Sequence, residues 1–551
     1  MDTQRIFLAV MLSLVILLGY QFLFVPPPQP VDSPAINGEQ ASTSITGENT
    51  LTPPPPSLQQ KTPGVPATAF QHQDRDITIE TPLYTAIVSS AGGGFKSFKL
   101  KNYKESMTDD SENKELIKTT APQELPLYFS WNTESVDATI PAYVADKEKV
   151  TVHSGDDFLA LNTSLPSGLE ITRTMTFNAD EYQIYLDINI ENKSEHQIQG
   201  APYLSYSNNP FEENDGKRNN FLFQGPALFQ NGALEEIKPD NLRKDGPQVR
   251  SGQIDWVAYE DTYFMTGIMP ATSSQQTVHL DSTDGRQVNT TLTGSPVVIP
   301  AGGQKQFQYT IFFGPKKLST LKEVGNNLDR IVNFGWFDIL AQPMLSLLNF
   351  LFGFVHNYGW AIILVTVIIK ALFWPIAHKG MKSMKTMQKL QPKMAKLREK
   401  HANNKEALNQ EMIQLYKTYK VNPVGGCLPM LLQIPVFFAL YKVLLQTIEL
   451  RHAPFMLWIT DLSAPDRLGI GIDIPYLGGI PVLTLLMGAS MFLQQKMTPT
   501  TGDPTQAKIM KFLPLIFIFM FLNFASGLVL YWFINNVLSI AQQYAINKSP
   551  D

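Results

Sequence analysis

The most constraining feature of the sequence is a run of twenty mainly apolar residues, Tyr358–Ala377, that contains one full charge, Lys370. Twenty helical residues cover about 30 Å, which is the thickness of the hydrocarbon core of a bilayer. A lysine at this depth costs about 2.5–3.5 kcal/mol on membrane-insertion scales. Thr366 precedes it by one helical turn and shares its face. The run therefore predicts a membrane span whose lysine either reaches the headgroups or faces something polar inside the protein.

The positive charge of the chain is concentrated in the segment that follows this run. The whole chain has a net charge of −5, but residues 378–420 hold eleven Lys and Arg against three Glu, a net charge of +8. Apolar residues recur there every three or four positions on both sides of a break at 401–404. This pattern predicts an antiparallel helical hairpin on the cytoplasmic side. Its basic face would fix topology, bind anionic lipid headgroups or bind ribosomal RNA.

The N-terminal part of the chain predicts an anchor followed by a tether. Residues 1–25 contain Arg5 and then an apolar run without a small-residue cleavage site, as in an uncleaved signal anchor with a cytoplasmic N-terminus. Residues 26–75 are rich in proline and polar residues and cannot bury a core, so we expect an extended periplasmic linker.

Residues 76–317 alternate apolar and polar side chains between turn residues, which predicts a large antiparallel β-sandwich outside the cytoplasm. Its histidines, His153, His196 and His279, have no metal-ligand spacing, so we expect them to be solvated and predict no metal site. The single cysteine, Cys427, excludes an intrachain disulfide and a cysteine metal site. A sandwich that binds or converts a sugar stays possible.

Residues 318–352 predict helix that lies in the outer membrane interface or faces the protein core, with a break at Pro343. Apolar segments near 425–445, 478–494, 509–524 and 526–544, added to 1–25 and 358–377, predict six spans with both termini in the cytoplasm.

Polar residues recur within these spans. Gln433 lies in the middle of one, and the last span places Trp532, Asn536, Ser539 and Gln543 at spacings of 4, 3 and 4. Hydrogen bonds between helices would explain Gln433 and Asn536 alone. Because Lys370 has no acidic residue within the spans to neutralise it, a shared hydrated cavity that receives a negative group is the better explanation.

Several stretches resemble the membrane protein insertase family of bacterial YidC, mitochondrial Oxa1 and chloroplast Alb3. The most specific is VNPVGGCLPMLLQIPVFFALYKVL at 421–444. LQPKMAKLREK, FMLWITDLSAPD, QQKMTPTTGDPTQAKIMKFLPLIF and ASGLVLYWF support it in the same order. The anchor, the tether and the β domain resemble the Gram-negative form, so the resemblance covers nearly the whole chain.

The resemblance implies a groove in an insertase core at 353–551, open to the cytoplasm and to lipid. Residues assigned to the groove and client binding are Thr366, Lys370, Gln433, Tyr531, Trp532 and Asn536. Hairpin residues assigned to client or ribosome contact are Lys382, Lys385, Lys389, Lys393, Lys396 and Arg398. The family often has arginine where this chain has Lys370, and tyrosine where it has Trp532. A lysine loses its proton more readily than an arginine, and tryptophan has no hydroxyl group.

These features predict an inner-membrane insertase and chaperone that uses no catalytic residue, nucleotide or other cofactor. The resemblance implies that its partners are nascent membrane proteins, the Sec translocon with its accessory subunits, membrane lipids and, through the basic hairpin, the ribosome. It also implies that the β domain resembles a sugar-mutarotase-like sandwich without catalysis. Two other functions fit the residues: an anionic-solute transporter or channel that uses the same lysine, and a membrane-tethered sugar enzyme whose activity lies in the sandwich.

Overall fold

The structure is a computed structural model that describes most of the chain from Arg75 onward. The described residues are 75–108, 110–119, 124–131, 140–210, 222–271, 275–282, 284–401, 404–419, 428–471, 478–497 and 504–548. They belong to the second of two structural units, His72–Asp551. The predicted anchor at 1–25 and all of the tether at 26–75 except Arg75 lie outside the described residues, as do 421–427 with Cys427.

The described residues of the predicted β region form twenty strands. They are β1 Asp76–Glu80, β2 Tyr84–Ser89, β3 Phe95–Lys104, β4 Asn113–Lys118, β5 Tyr128–Trp131, β6 Val144–Ala145, β7 Lys149–Thr151, β8 Asp156–Ser164, β9 Leu169–Asn178, β10 Gln183–Asn192, β11 Ile198–Gly200, β12 Pro202–Asn208, β13 Gly225–Gln230, β14 Ala233–Glu236, β15 Gln248–Glu260, β16 Phe264–Pro270, β17 Gln275–Asp281, β18 Val288–Thr293, β19 Val297–Ile299 and β20 Gln304–Pro315.

Two large sheets and one small pair organise these strands. The five-stranded sheet has the order β4-β3-β2-β1-β7. The thirteen-stranded sheet has the order β5-β12-β18-β17-β15-β16-β20-β10-β9-β8-β6, with β13 and β14 attached at β15. The remaining pair is β11-β19. The prediction of a purely antiparallel sandwich is wrong at one edge, because β1 and β7 pair in parallel. No hairpin joins these two strands, so chain connectivity does not impose an antiparallel pairing.

The two large sheets pack face to face around a shared apolar core. The ring of Phe313 on β20 lies 5.5 Å from that of Phe95 and 5.2 Å from that of Phe98, both on β3. The period of two appears clearly in β10, where buried and more exposed residues alternate from Leu186 to Asn192. Burial of one strand face therefore produces the apolar alternation visible in the sequence.

Helices make up most of the described chain after the sandwich, and one short helix lies within it. They are α1 Pro239–Asp245, α2 Leu318–Val324, α3 Asp338–Val355, α4 Tyr358–Lys400, α5 Lys405–Thr418, α6 Leu428–Gln446, α7 Val482–Met497, α8 Pro504–Phe521 and α9 Ser526–Lys548. Short 3₁₀ turns cover Leu328–Ile331, Gly335–Phe337 and Ile448–Leu450. By length and composition, Gly335–Val355 and Tyr358–Lys400 could each cross a membrane. Six spans therefore stay a prediction.

Helix α3 continues through Pro343, where the sequence predicts a break. Proline removes one backbone donor and disturbs the preceding turn. Pro343 lies near the start of the helix, and the side chains of Ala341, Leu345 and Leu348 around it are buried. Packing of this face holds the helix together across the proline, which the local sequence does not reveal.

The sandwich and the helices are in direct contact. The indole nitrogen of Trp256 on β15 donates to the carbonyl of Asn327 at 3.2 Å, just before the first 3₁₀ turn. Beyond α6, Arg451 donates to the carbonyl of Glu105 at 3.1 Å and lies 5.3 Å from the ring centre of Phe264. These contacts place the end of α6 beside the sandwich.

A buried ion pair lies at this junction. Lys316 donates to the carboxylate of Glu260, and to the carbonyl of Asp261 at 3.0 Å. The side chain of Glu260 is 2% exposed, and its other oxygen has no hydrogen-bond partner among the residues that the structure describes. Burial raises the pKa of Glu260 to about 7, while Lys316 opposes the shift and the carboxylates of Glu236 and Asp261 add to it. The junction therefore contains a carboxyl group that titrates near neutral pH.

Replacing this carboxyl group should reduce the pH dependence of stability. The pKa of Glu260 is higher in the folded protein than its ordinary value of 4.5, so the folded state binds the proton more tightly than the unfolded chain. Ionisation of Glu260 therefore costs stability as the pH rises from about 4.5 to about 7. We expect the thermal unfolding midpoint of Glu260→Gln to fall less than that of the wild type over this range. Equal slopes would contradict the assignment.

A close contact joins the start of α4 to the loop after α6. A Cβ atom on Gly359 would lie 2.0 Å from the ring of Phe455, which is far inside contact distance. Glycine is therefore required at this position for the ring to pack against the helix. Gly353 in α3 offers a contrast, because a Cβ atom there would have no neighbour within 4 Å.

Gly359→Ala should destabilise the protein by about 1–3 kcal/mol, the usual cost of overpacking. Gly353→Ala should instead be neutral or stabilising by up to about 1 kcal/mol, because alanine is the better helix former. Thermal unfolding of the purified protein in detergent measures both. Equal effects of the two substitutions would show that the contact with Phe455 is not what matters.

Candidate functional site

The candidate site surrounds helix α9, which packs against α4, α7 and α6. The loop before α7 fixes the start of α9: the backbone amide of Ser526 donates to the carbonyl of Ala464 at 2.7 Å, and that of Gly527 to Leu462 at 2.9 Å. These bonds satisfy amides at the helix N-terminus, which have no partner within the helix. They fix the point at which α9 begins.

The same loop fixes the start of α7 through a buried carboxylate. Asp466, which is 3% exposed, accepts from the backbone amides of Leu483 at 2.5 Å and Thr484 at 3.2 Å. Its other oxygen accepts from the indole of Trp458 at 2.6 Å. A carboxylate is well suited to this place because it satisfies free amides and complements the helix dipole.

Lys370 on α4 contacts α9 directly. Its ammonium nitrogen lies 2.7 Å from the hydroxyl oxygen of Ser539, to which it donates, and that hydroxyl donates in turn to the carbonyl of Asn535 at 2.8 Å. Within the described residues, no carboxylate forms an ion pair with Lys370. The ammonium group has three donors, and Ser539 accounts for one of them. The site is therefore a partly buried positive charge held by a neutral partner.

Thr366 lies one turn before Lys370 but is used differently. It is 1% exposed, and its hydroxyl donates to the carbonyl of Ile362 in its own helix at 2.7 Å. This local bond satisfies the hydroxyl without a second helix. The structure therefore places Thr366 in a packed contact, with its donor already occupied.

Gln433 on α6 and Tyr531 on α9 form a second contact between helices. The amide nitrogen of Gln433 lies 2.5 Å from the phenol oxygen of Tyr531, to which it donates. Tyr531 is 1% exposed, so its phenol oxygen depends on a protein partner. The bond ties α6 to α9.

Trp532, the next residue of α9, lies in an aromatic cluster formed with α6 and α8. Its ring centre is 4.7 Å from that of Phe437 on α6, and 5.5 Å and 5.3 Å from those of Phe517 and Phe521 on α8. The ring of Tyr531 stacks on the same Phe437, with centres 6.4 Å apart, so the two adjacent aromatic residues share an apolar neighbour and the phenol oxygen of Tyr531 alone has the polar contact with Gln433.

Asn536 completes the polar contacts of α9. Its side-chain nitrogen donates at 3.0 Å to the hydroxyl of Ser490 on α7, which donates to the carbonyl of Met487 at 2.6 Å. Ser490 was not predicted as a site residue. A serine beside Gly488 and Ala489 in an apolar segment is the signal that could have identified it, because small residues permit close helix contacts.

Together, these contacts distribute the predicted site residues around one helix instead of gathering them at one point. Tyr531, Asn536 and Ser539 of α9 contact α6, α7 and α4, respectively. This is the arrangement expected if the polar residues hydrogen-bond between helices, which was the open alternative for Gln433 and Asn536. No group of three or more potential metal ligands occurs in the part of the chain that the structure describes.

The basic hairpin is formed by the second half of α4 and by α5. Met387, Leu390 and Met394 are buried against Met412 and Leu415. An ion pair of 3.3 Å joins Lys400 and Glu411, and Lys393 donates to the hydroxyl of Tyr419, so the two helices run in opposite directions. The side chains of Lys382, Lys389, Lys393 and Lys396 are exposed, whereas those of Lys385 and Arg398 are partly buried. Lys385 donates to the carbonyl of Ile546 at 3.3 Å and so contacts the end of α9.

The family of the chain follows from comparison with known proteins. Residues 350–551 match the family described as 60Kd inner membrane protein, and residues 76–347 match the YidC periplasmic domain. The chain is 41% identical over 561 residues to the membrane protein insertase YidC of Syntrophus aciditrophicus, covering 99% of each. The chain belongs to the YidC membrane protein insertase family. The YidC of Citrifermentans bemidjiense is 40% identical, again over 99% of each chain.

Membership of the YidC family confirms the resemblance read from the sequence and identifies an inner-membrane protein with a periplasmic domain. The names of the relatives indicate an insertase and not an enzyme. A solved structure described as an active YidC insertase with the first transmembrane domain resolved is 18% identical, with a TM-score of 0.37 over 86% of this chain and 93% of that one.

The bond between Gln433 and Tyr531 should be measurable as a coupling in stability. Gln433→Ala and Tyr531→Phe each remove one partner and should each cost about 1–3 kcal/mol, because a polar group is left buried. The double variant should cost less than the sum by about 1 kcal/mol. Chemical unfolding in detergent measures all three.

Tyr544→Phe is the matched control, because Tyr544 is on the same helix but 61% exposed. It should change stability by less than about 0.5 kcal/mol. Strict additivity of the two buried substitutions would show that the hydrogen bond does not couple α6 to α9.

Proposed function

We propose that this chain inserts integral membrane proteins into the inner membrane and assists their folding and assembly. The observation that carries the proposal is the positive charge of Lys370, partly buried between α4 and α9 and held by a hydroxyl without an ion pair among the described residues. Membership of the YidC insertase family over the full chain supports it. The substrate class is the nascent membrane protein.

The first step of insertion is electrostatic. A negative or strongly polar terminus of the client is attracted to Lys370. Among the described residues, no carboxylate pairs with the remaining N–H donors of its ammonium group. At an effective dielectric constant of about 20, two opposite charges 4 Å apart attract by about 4 kcal/mol. That attraction is comparable to the cost of placing one charge inside a bilayer. No nucleotide is needed for this step, and the sequence has no Walker-type phosphate loop.

The second step exchanges contacts between helices for contacts with the client. The bonds from Gln433 to Tyr531 and from Asn536 to Ser490 close α9 against α6 and α7. A neutral hydrogen bond contributes only about 0.5–1.5 kcal/mol net, so a client that offers equivalent donors and acceptors replaces it at little cost. Thr366 would join this exchange once its bond within α4 is released. Trp532 and its aromatic neighbours offer an apolar surface to the hydrophobic part of the client.

Helix α3 is proposed to lie in the outer membrane interface and not to span the membrane. Five residues before its start, Asn333 lines the same cleft as Gln446, the last residue of α6. At its end, the ring of Phe352 stacks on Tyr358, the first residue of α4, with centres 4.0 Å apart. Asn357 also donates to the carbonyl of Phe455, in the loop after α6. Both ends of α3 are therefore held on one side of the helical core.

The basic hairpin is proposed to receive clients on the cytoplasmic side. Its net positive charge favours this side and favours contact with anionic lipid headgroups or a ribosome. Five of the six assigned basic residues, Lys382, Lys385, Lys389, Lys393 and Lys396, lie at spacings of three or four along α4. The periplasmic sandwich is proposed to contact the Sec translocon and its accessory subunits, and both chain termini are proposed to be cytoplasmic.

Reversal of the charge at Lys370 tests the proposal. Lys370→Glu should abolish insertion of a Sec-independent client with an acidic N-terminal segment, because the attraction becomes repulsion. Lys370→Arg should retain most activity, since it keeps the charge. Insertion is measured by protease protection of the client in proteoliposomes.

Lys548→Glu provides the same change of charge at an exposed position near the end of α9 and should leave insertion unchanged. Normal insertion by Lys370→Glu at equal protein level would show that insertion does not depend on the electrostatic step. Flux of a small anion through the proteoliposomes, without client insertion, would instead favour a transporter.

A further inference from the structure

The loop after α6 contains a turn that exposes two apolar side chains at its tip. Leu457 is 80% exposed and Met456 is 44% exposed. The backbone of Leu457 has φ = +56°, a left-handed conformation that leucine rarely adopts and that asparagine or glycine adopts readily. A water-exposed turn would be better served by either of those residues. The sequence instead places an apolar side chain where both the backbone and the exposure disfavour it.

This exposure belongs to a firmly held turn. The amide of Phe455 donates to the carbonyl of Ile459 at 3.0 Å, and the amide of Ile459 donates to the carbonyl of Met456 at 3.1 Å. Ile459 is 7% exposed, and the indole of Trp458 is fixed by Asp466. The turn therefore directs Met456 and Leu457 outward while the residues beside them are anchored in the protein.

The turn lies beside the outer end of α4. Asn357 donates to the carbonyls of Pro454 at 3.3 Å and Phe455 at 3.0 Å. The ring of Phe455 packs on Gly359 and meets that of Trp360 edge to face, with centres 5.8 Å apart. Trp360 is 46% exposed. Tryptophan at the end of an apolar helix is typical of the interface between membrane and water.

The side of the membrane follows from the contacts of the same loop. Ile448 packs into the core of the sandwich, and Arg451 donates to the carbonyl of Glu105. The sandwich corresponds to the YidC periplasmic domain. The tip therefore faces the periplasmic leaflet, at the level where α4 enters it. From Ala453 to Ile459 the loop carries no charged residue, which suits an apolar environment.

We propose that this turn is a lipid anchor that places Met456 and Leu457 at the boundary between phospholipid headgroups and acyl chains of the periplasmic leaflet. Trp360 forms the adjoining part of the same surface, and the exposed side chains of Val367 and Trp374 continue it along α4. The occupant of the surface is thus the lipid that surrounds α4.

The anchor has a consequence for the site. The loop that carries the tip also holds the starts of α7 and α9, through Asp466 and Leu462. A fixed depth for the tip therefore fixes the depth of these helix ends, and with them the depth at which Lys370 meets Ser539. This function concerns lipid contact alone and goes beyond client insertion.

Fluorescence quenching in the full chain tests the anchor. Cys427→Ser removes the single native cysteine, and Leu457→Cys or Met456→Cys then accepts an NBD label. The protein is reconstituted into vesicles of phosphatidylethanolamine and phosphatidylglycerol with lipids spin-labelled near the headgroup. Lys305→Cys on the exposed surface of β20 gives the water-exposed reference, and Ile516→Cys, 58% exposed on α8, gives the apolar helical reference.

The label at position 457 should show blue-shifted emission and several-fold stronger quenching than the label at 305. The label at 456 should behave in the same way, so the test survives if one variant does not fold. Emission and quenching equal to those at 305 would overturn the proposal. A blue shift without quenching by the spin-labelled lipid would also overturn it, because protein would then cover the tip. Since no client is present, this outcome is independent of the insertase assay.

Discussion

The capping of two helices by one loop is the constraint on which the helical core depends. Asp466 satisfies the amides of Leu483 and Thr484 at the start of α7, and the carbonyls of Leu462 and Ala464 satisfy those at the start of α9. A buried carboxylate is costly unless its oxygens are hydrogen-bonded, and here both are. Because α7 and α9 begin from a shared fixed point, their side chains meet in a defined register.

That register explains why one helix reaches several partners with few polar residues. Successive polar positions on α9 turn toward α6, α7 and α4, so Tyr531, Asn536 and Ser539 each meet a different helix. These contacts are individually weak, whereas the apolar packing around them is extensive. Such a core stays assembled while single polar contacts are exchanged. Lys370 differs from the other polar residues because its side chain is an amine that can carry a full charge, and no carboxylate among the described residues pairs with it.

The sequence indicated the fold class well because its strongest signals are periodic. Strands such as β10 bury alternate residues, and the hairpin buries Met387, Leu390 and Met394, as their spacings predict. Local patterns did not reveal the parallel pairing of β1 with β7 or the continuity of α3 through Pro343, because both depend on distant packing. Lys370 and Gln433 were identifiable as polar residues in apolar runs. The partners Ser490 and Ser539 could be assigned only when the helices were placed together, since serine in an apolar segment has many possible neighbours.

Helix α4 runs without interruption from Tyr358 to Lys400. At 1.5 Å per residue, its 43 residues extend for about 65 Å, roughly twice the hydrocarbon thickness of a bilayer. One end is held at Phe455, the other carries the basic hairpin, and Lys370 lies between them. Pro375 lies inside the helix between Lys370 and the hairpin and removes one backbone hydrogen bond there. The candidate site and the basic hairpin therefore belong to one continuous helix, with no loop between them.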